Sequence, residues 1–420
     1  MKKHVSVSAA LLFLTLLVEV IGVTGIIMAL PLISEEFGLN SVELGAIVSA
    51  YFLGYAIFTI PGGAFADKVG SKRIIAIGLL LWAIFTSLTG FVNGFLTLFV
   101  VRVLLGIIQA PLSPAILKAV AERTPAKIRT TTNAFVLSAD PFGSAITPLI
   151  VAPLIVMLGW HNTSILLGVL GLLIAPIIWF LLPRPLPPEI ANPVAEAVPE
   201  NVANTAPQQP GMKLTDVLRN RQIWMLTMIM SGISIVATGF LTWVPTYLTT
   251  EKHLDLTQTG FAASLPLFAA MVANLTGGWL FDRYLGNRFH QMVIPSLLLS
   301  SLFLVLMITS GSVLQFVLYE SAALAFLSMT NQPVMGLAMR IIPANVLGIG
   351  SGMLLTGIKA ASIITPVAMG AIIAHISFEA SFVFLLVGLL LSIAATIGVR
   401  IKPVARSDSM LAESKLPPGV

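Results

Sequence analysis

The sequence predicts an all-α membrane protein with twelve transmembrane helices in two pseudo-symmetric bundles of six. Of its 420 residues, 57% are hydrophobic and only 10% are charged, and the mean hydropathy is +0.96. A water-soluble domain of this length needs more charge. Apolar runs long enough to cross a bilayer recur along the chain, and one short charged loop occurs twice, half a chain apart. The duplication predicts two related halves.

The repeated loop reads PGGAFADKVGSKR at residues 61–73 and GGWLFDRYLGNR at residues 277–288. In both copies paired glycines precede an acid, Asp67 or Asp282, and basic residues follow. The glycines remove side chains where two helices approach closely, and the acid can pair locally or face a helix N-terminus. One copy alone is equally compatible with an ordinary tight turn. Two copies at matching places argue against that explanation.

About 20 apolar residues cross a bilayer, and twelve such segments follow one another. The first begins after Lys2 and Lys3 and continues past Glu19 without a convincing cleavage site, so we interpret it as a retained span and not as a signal peptide. Prolines inside spans are tolerated where neighbouring helices or a cavity satisfy the freed backbone groups. The predicted spans are 8–32, 43–65, 73–93, 95–121, 131–157, 162–182, 222–248, 257–281, 290–310, 313–339, 347–375 and 377–400.

A polar stretch separates the two sets of six. Residues 183–212 are rich in Pro, Ala, Asn, Glu and Gln and show no helical or strand period, which indicates a flexible linker outside the membrane. Residues 212–224 alternate charged and apolar positions and are expected to lie along the membrane surface. The predicted organisation is an N-terminal bundle 1–182, a cytoplasmic linker 183–213, a C-terminal bundle 214–402 and a cytoplasmic tail 403–420.

Lysine and arginine predict the orientation. With both termini on one side, the connections on the opposite side contain only Lys252, whereas the remaining loop cations lie on the side of the termini. The positive-inside rule then places both termini in the cytoplasm. We expect a multi-pass plasma membrane protein, in a bacterial inner membrane, that is a monomer. The pI near 9.5 therefore comes from basic loop residues that set the orientation of the chain in the lipid bilayer, and no nucleic-acid partner is expected.

Several enzyme classes are excluded by missing residue patterns. The sequence contains no cysteine, which removes disulfides, thiolate metal sites and cysteine nucleophiles. It contains no G-x-x-x-x-G-K-[ST], H-E-x-x-H or G-x-S-x-G motif, and its five histidines lie at termini or span ends. No catalytic residue, metal site or cofactor is expected, and ATP is not the expected energy source.

Five ionisable residues fall at membrane depth: Glu19, Arg102, Asp140, Glu320 and Lys359. Each costs about 2.5 to 3.5 kcal/mol at a span centre on insertion scales, so they must face a polar interior. One explanation is that they form buried ion pairs, which fix helix packing and contact no ligand. This explanation applies most to Glu320, which lies near the outer end of its span. The other is function, because an arginine with a lysine suits an anionic solute, and an acid near a cation suits proton coupling.

Uncharged polar residues at the same depth bind either a solute or a neighbouring helix. Tyr247 closes the seventh span beside Trp243, where an interfacial aromatic belt is the alternative explanation. The other residues of this kind are Tyr51, Tyr55, Gln109, Asn133, Asn331 and Gln332.

Three stretches carry a resemblance to a known family. They are RVLLGIIQAPLSP at 102–114, LRNRQIWMLT leading to FLTWVPTYL at 218–248, and QTGFAASLPLFAAMVANLTGGWLFDRYL at 258–285. With the duplicated six-span plan and the PGGAFADKVGSKR loop, the chain resembles the major facilitator superfamily of secondary transporters. More narrowly, it is similar to the anion:cation symporter family of that superfamily. The resemblance covers residues 8–400.

The resemblance implies two six-helix bundles that flank one central cavity and rock about a midplane site to give alternating access. The family typically moves organic anions, such as sugar acids and other carboxylates, with protons or other cations. On its pattern, Arg102 matches the fourth-helix arginine that serves substrate binding and coupling. Asp67 matches the acid of the cytoplasmic gate, and the repeated loop adds Gly62, Arg73 and Asp282 to that gate.

The chain also departs from the family pattern. Gln109 stands where an acid is frequent seven positions after the arginine, and Gly22 and Val23 replace an Asp-Arg pair in the first helix. Lys359 replaces a usual asparagine in the eleventh helix, and Asp140 matches no feature of the family. The charged residues of this chain therefore stand at other positions than those usual in the family, and we expect the identity of the substrate to differ accordingly.

We predict that Arg102 and Lys359 hold the anionic group from opposite halves of the cavity. Asp140 is the first candidate for the protonatable group, followed by Glu19 and then Glu320. The other residues expected at the substrate site are Gln109, Tyr247 and Asn331.

The predicted function is proton-coupled symport of a small organic anion by alternating access. One alternative on the same scaffold is a proton-driven exporter of a drug, siderophore or metabolite. The other is a transporter-like receptor that binds without translocating, which the absence of a sizeable signalling domain disfavours. The sequence leaves the solute, the coupling ion and its stoichiometry open.

Overall fold

The structure is a computed structural model that describes residues 2–187, 219–285, 288–341 and 347–400, and these are almost entirely helical. A π-helical turn, Phe281–Leu285, follows α9. The α-helices are α1 Lys2–Phe37, α2 Ser41–Val69, α3 Ser71–Thr89, α4 Phe95–Gln109, α5 Leu112–Arg123, α6 Ala126–Leu137, α7 Ala139–Leu181, α8 Arg221–Thr250, α9 Leu256–Leu280, α10 Phe289–Ile308, α11 Val313–Ser328, α12 Asn331–Ile341, α13 Leu347–His375 and α14 Phe378–Gly398.

The helices make twelve membrane crossings. Eleven stretches of the described residues are long and apolar enough to span a bilayer, and one of them, Ala126–Leu181, is 56 residues long. At 1.5 Å per residue this stretch would measure about 84 Å, far more than one bilayer. The helix breaks at Gly159, where φ is 77°, so the stretch contains two crossings. The predicted fold class, a twelve-helix membrane protein, is confirmed.

The two halves repeat one packing contact. Gly62 in α2 lies against the junction of α4 and α5, where an added Cβ would lie 2.9 Å from the Cγ of Pro111. Gly277 in α9 lies against the junction of α11 and α12, where an added Cβ would lie 2.8 Å from the Cα of Met329. In both halves, the second crossing therefore touches the break in the fourth crossing, as expected for glycines at a close helix approach.

The halves meet at one end of the molecule. An even number of crossings leaves both described chain ends at the same end, which we call the termini end, and the opposite end is the far end. The halves contact each other through α2 with α13, α7 with α9 and α1 with α8. Toward the far end, Ser49 donates a hydrogen bond to the carbonyl of Ile363 at 2.6 Å, and an added Cβ on Gly260 would lie 2.5 Å from the carbonyl of Pro148. These contacts close the far end.

The predicted linker lies mostly outside the described residues, as does the predicted tail 403–420. The first linker residues run against the N-terminal half at the termini end. Arg123 donates from Nε to the carbonyl of Pro183 at 2.8 Å, and the Leu186 amide donates to the carbonyl of Glu122 at 2.8 Å. The segment that follows the sixth crossing is therefore hydrogen-bonded to the end of the fourth crossing.

Candidate substrate and proton site

Five side chains from four helices converge near the middle of the membrane, and we call them the central cluster. They are Glu19 of α1, Tyr51 and Tyr55 of α2, Asp140 of α7 and Lys359 of α13. Lys359 interacts electrostatically with both acids, and the two acids interact with each other. The second half contributes the cation and the first half contributes both carboxylates, so the cluster joins the halves.

Aromatic rings hold the ammonium group of Lys359. Its Nζ lies 4.2 Å from the ring centroid of Tyr55 and 5.6 Å from that of Phe52. A cation over an aromatic face is stabilised by the ring quadrupole. Among the described residues, no carboxylate oxygen lies within 4.0 Å of this nitrogen. The ammonium therefore has distant counter-charges and remains able to take a carboxylate ligand.

Part of the central cluster is open to solvent. Asp140 is exposed, Lys359 and Tyr55 are partly exposed, and Glu19 is only 6% exposed. Asp140 and Lys359 face each other from opposite halves, so the space that exposes them lies between the halves. Because the far end is closed by direct contacts, we interpret this space as a vestibule that opens toward the termini end.

Arg102 lies inside the N-terminal half, next to the cluster. Its side chain is 3% exposed, and its Nε forms no hydrogen bond with any described residue. It borders a cavity of about 10 Å³ together with Gly22, Thr86 and Trp160. Tyr51 interacts electrostatically with Arg102 and with both acids of the cluster, so it connects the arginine to the vestibule.

Close backbone packing positions Arg102 beside Tyr51. An added Cβ on Gly106 would lie 2.1 Å from the carbonyl of Tyr51, and one on Gly54 would lie 2.0 Å from the carbonyl of Val103. Glycines at these positions allow the backbones of α2 and α4 to touch. The contact places the last turns of α4 against the aromatic face of α2.

The structure does not bring Arg102 and Lys359 together. Arg102 is buried within the first half, whereas Lys359 faces the vestibule from the second half. The predicted clamp from opposite halves is not assembled in this conformation and stays a prediction. The sequence indicates both cations by their depth in the membrane, but depth does not show which way a helix presents them.

The remaining predicted substrate residues lie elsewhere. Tyr247 packs toward the far end against Phe316 and Phe382, with ring centroids 4.9 and 5.2 Å apart. Gln109 is fully buried, and neither atom of its amide group bonds to the described part of the chain. Asn331 is partly buried at the first residue of α12. The roles of these residues stay predictions.

The gate residues are only partly described. Gly62 packs within its own half, as given above, and Arg73 is exposed. Asp67 lies in α2 and Asp282 in the π-helical turn, but their side chains lie outside the described part of the structure. Their predicted pairing at a cytoplasmic gate therefore stays a prediction.

The sequence alone does not show the importance of Tyr55 and Phe52. It identifies Tyr51 and Tyr55 only as polar groups that bind a solute or a neighbouring helix, and it does not identify Phe52. The available signal was the spacing, because residues four apart lie on one helix face. Tyr51 and Tyr55 are four apart and share the cluster.

The fold and the charged vestibule define a multi-pass membrane transporter. The chain belongs to the Major Facilitator Superfamily, whose family model matches residues 12–356 and 247–416. Two solved structures of a bacterial homologue of the human lysosomal transporter Spinster share the fold. The inward-facing occupied form has a TM-score of 0.78 at 16% identity and covers 94% of this chain and 98% of that one. For the inward-facing unoccupied form the TM-score is 0.79 at 17% identity, with 96% and 100% covered.

The sequence relatives are named as transporters of acids. A probable L-galactonate transporter of Escherichia coli K12 is 30% identical over 67% of this chain, a match that spans 62% of the relative. A probable sulfoacetate transporter, SauU, of Cupriavidus necator is 29% identical over 91% of this chain and 90% of its own length. A probable galactarate/D-glucarate transporter, GarP, of Escherichia coli K12 is 28% identical over 84% of both chains. The predicted resemblance is confirmed, and the chain is a transporter and not an enzyme.

Proposed function

We propose that this protein is a proton-coupled symporter of a small organic anion, a carboxylate such as a sugar acid, that works by alternating access. The observation that carries the proposal is Lys359, a cation presented to a vestibule with its nearest described partners being aromatic rings. Relatives named for L-galactonate, sulfoacetate and galactarate or D-glucarate support this substrate class.

Substrate binding follows from the groups that reach the vestibule. A carboxylate forms charge-assisted hydrogen bonds with the ammonium of Lys359, which are stronger than neutral ones. The Tyr55 hydroxyl, which shares a hydrogen bond of 3.0 Å with Ser113, provides a partner for a substrate hydroxyl. Arg102 serves as the second cation, connected through Tyr51, and holds the substrate once the halves have moved.

Charge balance links the anion to a proton. Glu19 and Asp140 balance Arg102 and Lys359, so an added anion leaves one uncompensated negative charge inside the membrane, which is costly. A proton on either acid restores the balance and also removes a competitor for Lys359. The two acids interact electrostatically with each other, so we assign the proton to the pair and not to one residue. We therefore expect one proton for each monovalent anion.

The direction of opening follows from the loop charges. The positive-inside rule assigns the termini end to the cytoplasm, so the described conformation is the one that loads or releases solute there. Rocking of the halves about the central cluster would open the far end and close the vestibule, as in other transporters with repeated halves. The protein would act as a monomer in the plasma membrane.

Transport assays in proteoliposomes test the proposal. Uptake of labelled D-glucarate, L-galactonate and sulfoacetate is measured with and without an imposed proton gradient, and counterflow is measured without one. We expect at least one compound to accumulate against its gradient only when protons flow with it. Accumulation that is independent of the proton gradient would contradict proton coupling. Accumulation driven by protons that move opposite to the solute would identify an exporter. Binding without any counterflow would identify a receptor.

A further inference from the structure

A second acid lies between the halves, away from the central cluster. Glu320 of α11 is 3% exposed and lies two helical turns from the far end. Within the described part of the chain its Oε2 forms no hydrogen bond, and no lysine, arginine or histidine there forms an ion pair with it. A buried carboxyl group without a partner among the described residues requires either a proton or a bound ligand.

The carboxyl group borders a small cavity shared by the two halves, which we call the outer cavity. The first half contributes Thr24 and Met28 of α1 and Pro148 of α7, and the second half contributes Leu241 and Pro245 of α8 besides Glu320. Its volume, as the space open to the centres of water-sized molecules, is about 20 Å³, room for a water molecule but not for a sugar acid. The outer cavity exists only while the halves touch.

The lining of the outer cavity suits a proton more than a metal cation. Most of it is apolar, and no other residue that lines it from α1, α7, α8, α9 or α11 is titratable. Pro245 has no amide hydrogen, so the carbonyl of Leu241 lacks its helical donor. A protonated carboxyl group can donate to this carbonyl, directly or through one water. A sodium ion would need more oxygen ligands than this lining offers.

We propose that the outer cavity is a second protonation site, in which Glu320 carries a proton while the far end is closed and releases it to the outside when the halves separate. Closure removes water from the carboxyl group, and separation restores it, so protonation and closure favour each other. Low external pH then stabilises the closed far end, and high external pH favours its opening. This inference rests on the proposed alternating access but not on the proposed substrate.

Distance measurements between spin labels test the inference. The chain has no cysteine, and Gly94 and Gly311 lie in far-end loops of opposite halves, where an added Cβ would meet no atom within 4 Å. The variant Gly94→Cys with Gly311→Cys is labelled and placed in nanodiscs at constant sodium. We expect the long-distance population to grow as pH rises from acid to alkaline values. With Glu320→Gln, we expect the short distance at every pH.

Two further variants separate this site from the central cluster. Glu320→Asp keeps a titratable group and should keep the pH response. Asp140→Asn leaves the outer cavity untouched and should keep the pH response as well. A response lost with Asp140→Asn, or kept with Glu320→Gln, would overturn the inference. A response to sodium at fixed pH that Glu320→Gln abolishes would identify a sodium site instead.

The labelled chain with its native Glu320 tests the inference by itself if Glu320→Gln does not fold. Two populations that do not change with pH would overturn the inference and leave alternating access intact. One short distance under all conditions, with substrate or without, would instead contradict alternating access itself.

Discussion

The central cluster and the outer cavity both place acids inside the membrane, but the acids have different surroundings. Glu19 and Asp140 both interact electrostatically with Lys359, and Asp140 is exposed to the vestibule. Glu320 has no cation among the described residues and is 3% exposed in a cavity that holds little more than one water. The chemistry of each acid therefore depends on what can reach it. Solute and solvent reach the first site, and only water and protons fit the second.

Removal of the shared cation should have the largest effect. In Lys359→Met the substrate carboxylate loses its ammonium partner and faces two acids, so we expect affinity to fall about 100-fold, the equivalent of a lost buried charge partner. Ligand-dependent thermal shifts and counterflow measure this loss. Lys359→Arg keeps the charge and is the matched control. Full counterflow in Lys359→Met would show that the cation is structural, and the contrast between the two sites would disappear.

Neutralisation of the exposed acid should affect coupling and not exchange. For one proton per monovalent anion, a gradient of one pH unit supports about tenfold accumulation, since 1.4 kcal/mol is a factor of ten. In Asp140→Asn we expect this accumulation to vanish while counterflow continues. Glu43→Gln, which neutralises a partly exposed acid in the first turn of α2 and keeps an oxygen that can accept from the Asn40 amide, is the control. Proton-driven accumulation that survives in Asp140→Asn would move the coupling role to Glu19.

The ring under the ammonium should have a smaller effect. Tyr55→Phe keeps the aromatic face and removes the hydroxyl that meets Ser113, whereas Tyr55→Leu removes both. A cation over a ring contributes about 0.5 to 2 kcal/mol, so we expect substrate affinity in Tyr55→Leu to fall by a further factor of about five relative to Tyr55→Phe. Equal affinities in the two variants would show that the ring does not position Lys359.

Most of the fold could be predicted from the sequence, because hydropathy and a repeated loop report on span number and symmetry directly. The sequence predicts the fifth and sixth spans as separate helices, and in the structure the helical backbone of α7 breaks between them at Gly159. The site was harder to predict. Depth in the membrane identified Glu19, Asp140 and Lys359, which converge, but also Arg102, which faces into its own half.

The missing information was helix rotation. A residue number gives the position of a side chain along the membrane normal, whereas the direction in which it points depends on the contacts of the whole helix. The approach of α2 to α4 depends on Gly54 and Gly106, which differ in nothing visible from other glycines of the sequence. Tyr55 was not assigned to the site for the same reason, because aromatic residues are frequent in spans that touch no ligand.

The smallest effect is expected where the seal between the halves is weakened without a change to either acid. Ser49→Ala removes the hydrogen bond to the carbonyl of Ile363 across the halves, and such a bond contributes about 0.5 to 1.5 kcal/mol. Because only the closed state contains this bond, the ratio of open to closed far ends should rise by about twofold to tenfold. The labels at Gly94 and Gly311 measure this ratio, and the pH response should keep its form but shift toward lower pH.

Ser231→Ala, which removes a hydroxyl bonded within α8, is the control. A ratio unchanged by Ser49→Ala would mean that this contact persists when the far end opens, and the axis of motion would then pass through α2 and α13.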